Sequence, residues 1–166
     1  MEPLSQEYVE QTADFFFHLS KGQLEERIAE YKRKQMYLHQ LVRIYPNTVS
    51  DANYMDIKWR FSLLVHHCFE SYINPFPVVT KQNIDRTIAR IERKRNEHSK
   101  EKSDIRFVEL IITETDQIEL YNFIDAKICS LEEEGRILDF VEGSKYLTFL
   151  ITMGLILKDE LMSKIK

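Results

Sequence analysis

A chain of 166 residues with 43% hydrophobic and 30% charged side chains has the material for one packed domain and is too apolar to be disordered. Its formal net charge of −4 speaks against a nucleic-acid coat or a polybasic membrane anchor. Four glycines and four prolines stand where ordinary usage would supply about 20, too few for the tight reversals of a sheet or for a phosphate-cradling loop.

The expected fold is therefore all-α: a single-domain bundle of five to seven helices over residues 1–166, without cofactor or metal. The opening residues Met1-Glu2-Pro3-Leu4 lack the basic and apolar parts of a signal peptide. The longest nearly uncharged run, Tyr146 to Leu157, falls short of the roughly 20 residues that span a bilayer. Cys68 and Cys129 sit inside apolar helical patterns, as buried thiols rather than a disulfide. A cytoplasmic protein with no membrane association is the expectation that follows.

The first helix is expected to start at a Ser5 cap and end near Ser20, with Val9, Ala13 and Phe16 in its core stripe. Phe15, Phe16 and Phe17 span about 200° of its surface, so it is either wedged between two neighbours or leaves one ring exposed. A second helix is read as one rod from Gln23 to Tyr45. Its stripe of Leu24, Ile28, Tyr31, Gln35, Leu38, Val42 and Tyr45 alternates steps of four and three, and Pro46-Asn47 stops it.

The next helix, capped at Ser50 or Asp51 and ending before Asn74-Pro75, carries the most informative pattern. One face holds Tyr54, Ile57, Phe61, Leu64, Val65, Cys68 and Tyr72. The opposite face holds Met55, Trp59, Leu63, His66 and Ile73. Such a helix is either central or has one face reserved for another molecule. That second face is the predicted partner-binding surface, because tryptophan dominates interface energetics.

A helix capped at Thr80 follows, with Ile84, Ile88 and Ile91 in its stripe. Residues 92–104 carry no large apolar group and read as an exposed charged connector between an N-terminal half, 5–91, and a C-terminal half, 105–166. Ile105 to Thr115 satisfies helical spacing, although its β-branched composition leaves room for a short hairpin with Lys145 to Leu157 within residues 105–157. Asp116 and Glu119 resemble a capping box for a helix that ends at Gly135. The last helix runs from near Ser144 to about Ile165. It is apolar nearly all round between Leu147 and Leu157, as a central helix would be.

The chemistry-bearing residues are sparse. His66 or His67 with Glu70 supplies at most two metal ligands on one helix, and only His39 offers a third. Arginine precedes histidine within six residues at Arg33 and His39, Arg60 and His66, and Arg93 and His98. Such a pair can stabilise phosphoryl charge and move a proton, but three occurrences among five histidines do not discriminate. Nucleotide-loop, zincin, zinc-ribbon and hydrolase-elbow motifs do not occur.

Residues 80–103 carry eight basic and four acidic groups, and residues 104–142 three basic and eleven acidic. Arg93-Lys94-Arg95 is thus a candidate to offset Glu132-Glu133-Glu134 at a helix C-terminus, where the macrodipole disfavours negative charge. The function expected from all this is a non-catalytic protein-interaction or regulatory module with a protein partner or a homo-oligomer, self-association being the simplest version. The alternative is a nucleic-acid-associated regulator that uses the basic segment 81–102 through Arg93, Lys94 and Arg95. A small helical enzyme or metal protein ranks below both.

Overall fold

The computed structural model describes residues 1–44, 52–98, 104–136 and 140–164. These form helices α1 (Gln6–His18), α2 (Lys21–Lys34), α3 (Met36–Ile44), α4 (Ala52–Glu70), α5 (Lys81–His98), α6 (Asp104–Glu114), α7 (Ile118–Glu133) and α8 (Phe140–Lys164). The stop at Pro46-Asn47, the cap at Ser50 or Asp51 and residues 99–103 of the connector lie outside the described residues. Residues 92–98 continue α5.

The helix ends follow their capping chemistry. Ser5 accepts a hydrogen bond from the Tyr8 N–H at 3.2 Å, and Thr80 accepts one from Asn83 at 3.2 Å. Ser20 and Gln23 form a reciprocal capping box at the start of α2. At the end of α7, Gly135 takes a φ of +69°, which glycine adopts without strain. The N–H groups of Gly135 and Arg136 then satisfy the carbonyls of Glu132 at 2.9 Å and Leu131 at 2.8 Å, a Schellman closure. The C-terminus of α1 is closed from outside, because the Arg60 guanidinium donates to the carbonyls of Phe16 at 2.7 Å and Leu19 at 2.8 Å.

Helix α8 is the axle, with α4, α5, α6 and α7 packed around it. Its residues Tyr146, Leu150, Ile151, Met153, Ile156 and Leu157 are fully buried, as the all-round apolar run predicts. Gly143 and Gly154 allow α7 to approach closely: an added Cβ would overlap Glu132 and Ile128 at the first and the Tyr121 hydroxyl at the second. Helix α1 is wedged between α4 and α7. Phe16 is buried, Phe17 packs edge-on against Phe61 at 4.9 Å, and Phe15 stays outside beneath the Arg27 guanidinium.

Polar groups tie α5 and α6 to the far end of the axle. Thr87 donates to Asp159 at 2.7 Å, and Arg90 bridges Glu114 at 2.8 Å and Asp159 at 3.2 Å. Asn83 donates to the buried Glu160 carboxylate at 3.1 Å. Lys158 reaches the Glu114 carbonyl and the Asp116 carboxylate, both at 2.6 Å.

Four expectations are corrected, the first at Cys129, which is exposed although Cys68 is buried as expected. The single rod over 23–45 is two helices, which raises the count from seven at most to eight among the described residues. Gln35 leaves helical geometry (φ −135°, ψ 59°) and turns its amide to the segment after α4. There it donates to the Pro77 carbonyl and accepts from the Val79 N–H, both at 2.9 Å, so a buried side chain satisfies backbone groups of that segment while the Gln35 N–H and carbonyl keep their bonds to Tyr31 and His39. The hairpin allowed within 105–157 is absent, since Ile105 to Glu114 and Lys145 to Leu157 are both helical. Asp116 does not cap α7: Gln117 precedes that helix without a side-chain cap, and Asp116 (φ +60°) gives its carboxylate to Lys158.

Candidate functional site

The face of α4 expected to be free for a partner is interior. Trp59, Leu63 and His66 are buried to 7%, 7% and 5% exposure and Met55 is half-buried, while Ile73, also half-buried, is not on this face because α4 ends at Glu70. Helices α2 and α3 and the segment following α4 cover it. The Trp59 indole stacks on His39 at 5.0 Å between ring centroids and meets Tyr31 edge-on at 6.3 Å. His66 lies edge-on to Tyr31 at 4.9 Å and to Phe76 at 5.4 Å. Of the two options the pattern left open for this helix, α4 is the central one: α1 and α8 pack on it from one side, α2 and α3 from the other.

Electrostatics at this cluster are those of a dry interior. Burial drives the His66 imidazole down to about 4, against a smaller opposing pull from Glu70, so the ring is neutral at pH 7. Burial also pushes the Tyr31 phenol well up. The Tyr31 hydroxyl and His66 Nε2 are buried without a hydrogen-bond partner among the described residues. Glu70 lies 3.7 Å from His66 and 3.5 Å from His67, and its carboxyl is held low, chiefly by the hydrogen bond with His67. His39 is taken up by Trp59, and no group of three metal-ligating side chains converges among the described residues.

The arginine–histidine pairs come apart. Arg60 closes α1, whereas His66 points into the aromatic cluster. His98 packs on Phe107, and its Nε2 is buried without a partner among the described residues. Nothing there forms an acid–base pair around an open site.

The basic triplet is largely committed within the chain. Lys94 is ion-paired with Glu114, and the Arg95 guanidinium lies 5.3 Å over the Phe107 ring. Arg93 is exposed and has no ion pair among the described residues. Of the triplet, Lys94 thus neutralises Glu114 of α6, while at the acidic end of α7 it is Arg136 that meets Glu134, at 3.4 Å.

An apolar surface does reach solvent, on α3. Met36, Gln40 and Ile44 recur every fourth residue and share its outer face. Met36 is 47% and Ile44 63% exposed, with Tyr37 and Leu41 half-buried beside them. Val78, 60% exposed, belongs to the segment that Gln35 pins at the start of α3. The inner face carries Leu38, His39 and Val42 onto α4. A signal for the outer face exists in the sequence: Tyr37, Leu41 and Ile44 follow steps of four and three, a second apolar stripe that a single long rod had no use for. The chain matches no protein-family model, and comparison with curated proteins and with solved structures returns no match.

Proposed function

We propose that the chain is a non-catalytic interaction module that docks another polypeptide on the outer face of α3. The observation that carries this is the exposure of Met36, Ile44 and Val78 together, on one short helix and the segment pinned to it. Large apolar groups scattered singly over a surface need no explanation, whereas two on the same face of a short helix, with a third on the segment pinned to its start, favour contact with a partner. A regulatory role fits the rest of the molecule, whose titratable clusters are spent on packing and helix closure. The basic segment 81–102 gives a nucleic acid less to hold, because Lys94 and Arg95 already have internal partners and Lys81 pairs with Asp85 at 2.6 Å.

The test is site-specific photo-crosslinking from Gln40, between Met36 and Ile44, with a control crosslinker at the exposed Glu26 on α2. Crosslinks to a second polypeptide, or to a second copy, are expected from Gln40 and not from Glu26. They should disappear when Met36→Glu and Ile44→Glu are combined. Equal yields from both positions, or none from Gln40, would remove the docking role.

A further inference from the structure

The chemistry of the partner follows from the charge around this face, given the docking role assigned to α3 above. Helix α3 contains no acidic residue, and its last turn carries Arg43. The last turn of α2, immediately before it, carries Lys32, Arg33 and Lys34. Lys34 is neutralised by Glu30 at 2.8 Å, but Lys32, Arg33 and Arg43 are exposed and form no ion pair among the described residues. The field of these cations is felt on the helix itself: after burial, the charges of Lys32 and Arg43 hold the His39 imidazole below its ordinary range. Exposed cations without an ion pair among the described residues thus stand on α3 and on the last turn of α2 that leads into it, in a protein whose net charge is −4.

We propose that this face receives an acidic amphipathic helix of another protein, its apolar residues seated on Met36, Ile44 and Val78 and its carboxylates meeting Lys32, Arg33 and Arg43. Two arguments select that occupant. A second copy related by a two-fold axis would set the same three cations against themselves, which opposes association. Complementary charge speeds encounter and rejects like-charged partners, while the apolar strip supplies desolvated contact. Nine residues of α3 present about 13 Å of rod, matching two to three turns of a partner helix.

The experiment uses the full chain and two fluorescent synthetic peptides of about 14 residues, with leucine at positions i, i+3/i+4 and i+7 and either glutamate or lysine elsewhere. Anisotropy should show the glutamate peptide binding at least about tenfold tighter than the lysine peptide, with the preference shrinking as salt is raised. Combining Lys32→Glu, Arg33→Glu and Arg43→Glu should reverse the preference, and combining Met36→Glu with Ile44→Glu should abolish binding of both peptides.

Equal binding of the two peptides overturns the proposal, as does an acidic preference that survives charge reversal. So does binding to vesicles of phosphatidylcholine and phosphatidylserine with none to the glutamate peptide, which would make the occupant a membrane. Crosslinking from Gln40 to a second copy alone would keep the docking role and discard the acidic helix. An absence of crosslinks from Gln40 would discard the docking role itself.

Discussion

The second face of α4 and the outer face of α3 have similar raw material and opposite fates. The first carries a tryptophan, a leucine and a histidine, with a half-buried methionine at its start, and the chain folds its own helices over them. The second carries a methionine and an isoleucine, with a tyrosine and a leucine at its edge, and stays in contact with water. What separates them is the break at Gln35. It lets α3 lie across α4 with Leu38, His39 and Val42 inward, which leaves the residues one turn-face away without cover. Apolar content alone did not decide which face was free; the placement of the covering element did.

The largest effect is expected from Trp59→Ala on the inner face. Removing a buried indole from the cluster of Tyr31, His39 and His66 should cost about 3–5 kcal/mol of stability, read by denaturant melting. Crosslinking from Gln40 should survive wherever the variant is folded. Loss of crosslinks with an unchanged melting curve would show that the inner face is the functional one.

Acid titration probes the same interior. Because the folded imidazole of His66 titrates near 4 and its ordinary value is 6.5, the unfolded chain takes the proton first as pH falls. Its contribution is therefore fully present above pH 6.5 and is lost progressively towards pH 4, by about 3 kcal/mol in all. His66→Leu should remove most of that slope and leave the smaller one expected from His39, whose imidazole is also held low by burial. A slope unchanged by His66→Leu would mean the ring is not sealed.

Gly154→Ala tests how tightly the axle is gripped. The new methyl group meets the Tyr121 hydroxyl, which donates to the Leu150 carbonyl at 3.2 Å, so about 1–3 kcal/mol of stability should be lost without effect on docking. The smallest change is the sharpest. Ile44→Glu should alter stability by no more than about 0.5 kcal/mol, because the side chain is 63% exposed, and yet should weaken crosslinking from Gln40. A large fall in melting temperature would place Ile44 in the core.

The all-helical class was legible because it rests on residue scarcity and period, both local properties. So were the caps at Ser5 and Thr80, the Gly135 closure and the central place of α8. The Gln35 break was not, since its cause lies at Pro77 and Val79, more than forty positions away, and a glutamine on a helical stripe carries no mark of it. The candidate surface on α4 was misplaced for a related reason. Periodicity shows that a helix has two apolar faces, but not that Tyr31, His39 and Phe76 will close over one of them. The commitment of Lys94 to Glu114 and of Arg95 to Phe107 likewise depends on α5 lying beside α6, a tertiary fact.

The axle itself is chemically lopsided. From Tyr146 to Leu157 it is gripped by hydrocarbon and aromatic rings, whereas Lys158, Asp159 and Glu160 are clasped by charged and hydrogen-bonded groups. Ionic strength screens the clasp and spares the grip, while cooling weakens the grip and spares the clasp. Backbone amides near the two ends of α8 should then lose protection from deuterium exchange under opposite conditions, concentrated salt loosening one end and cold the other, so that a single rod reports on two kinds of force.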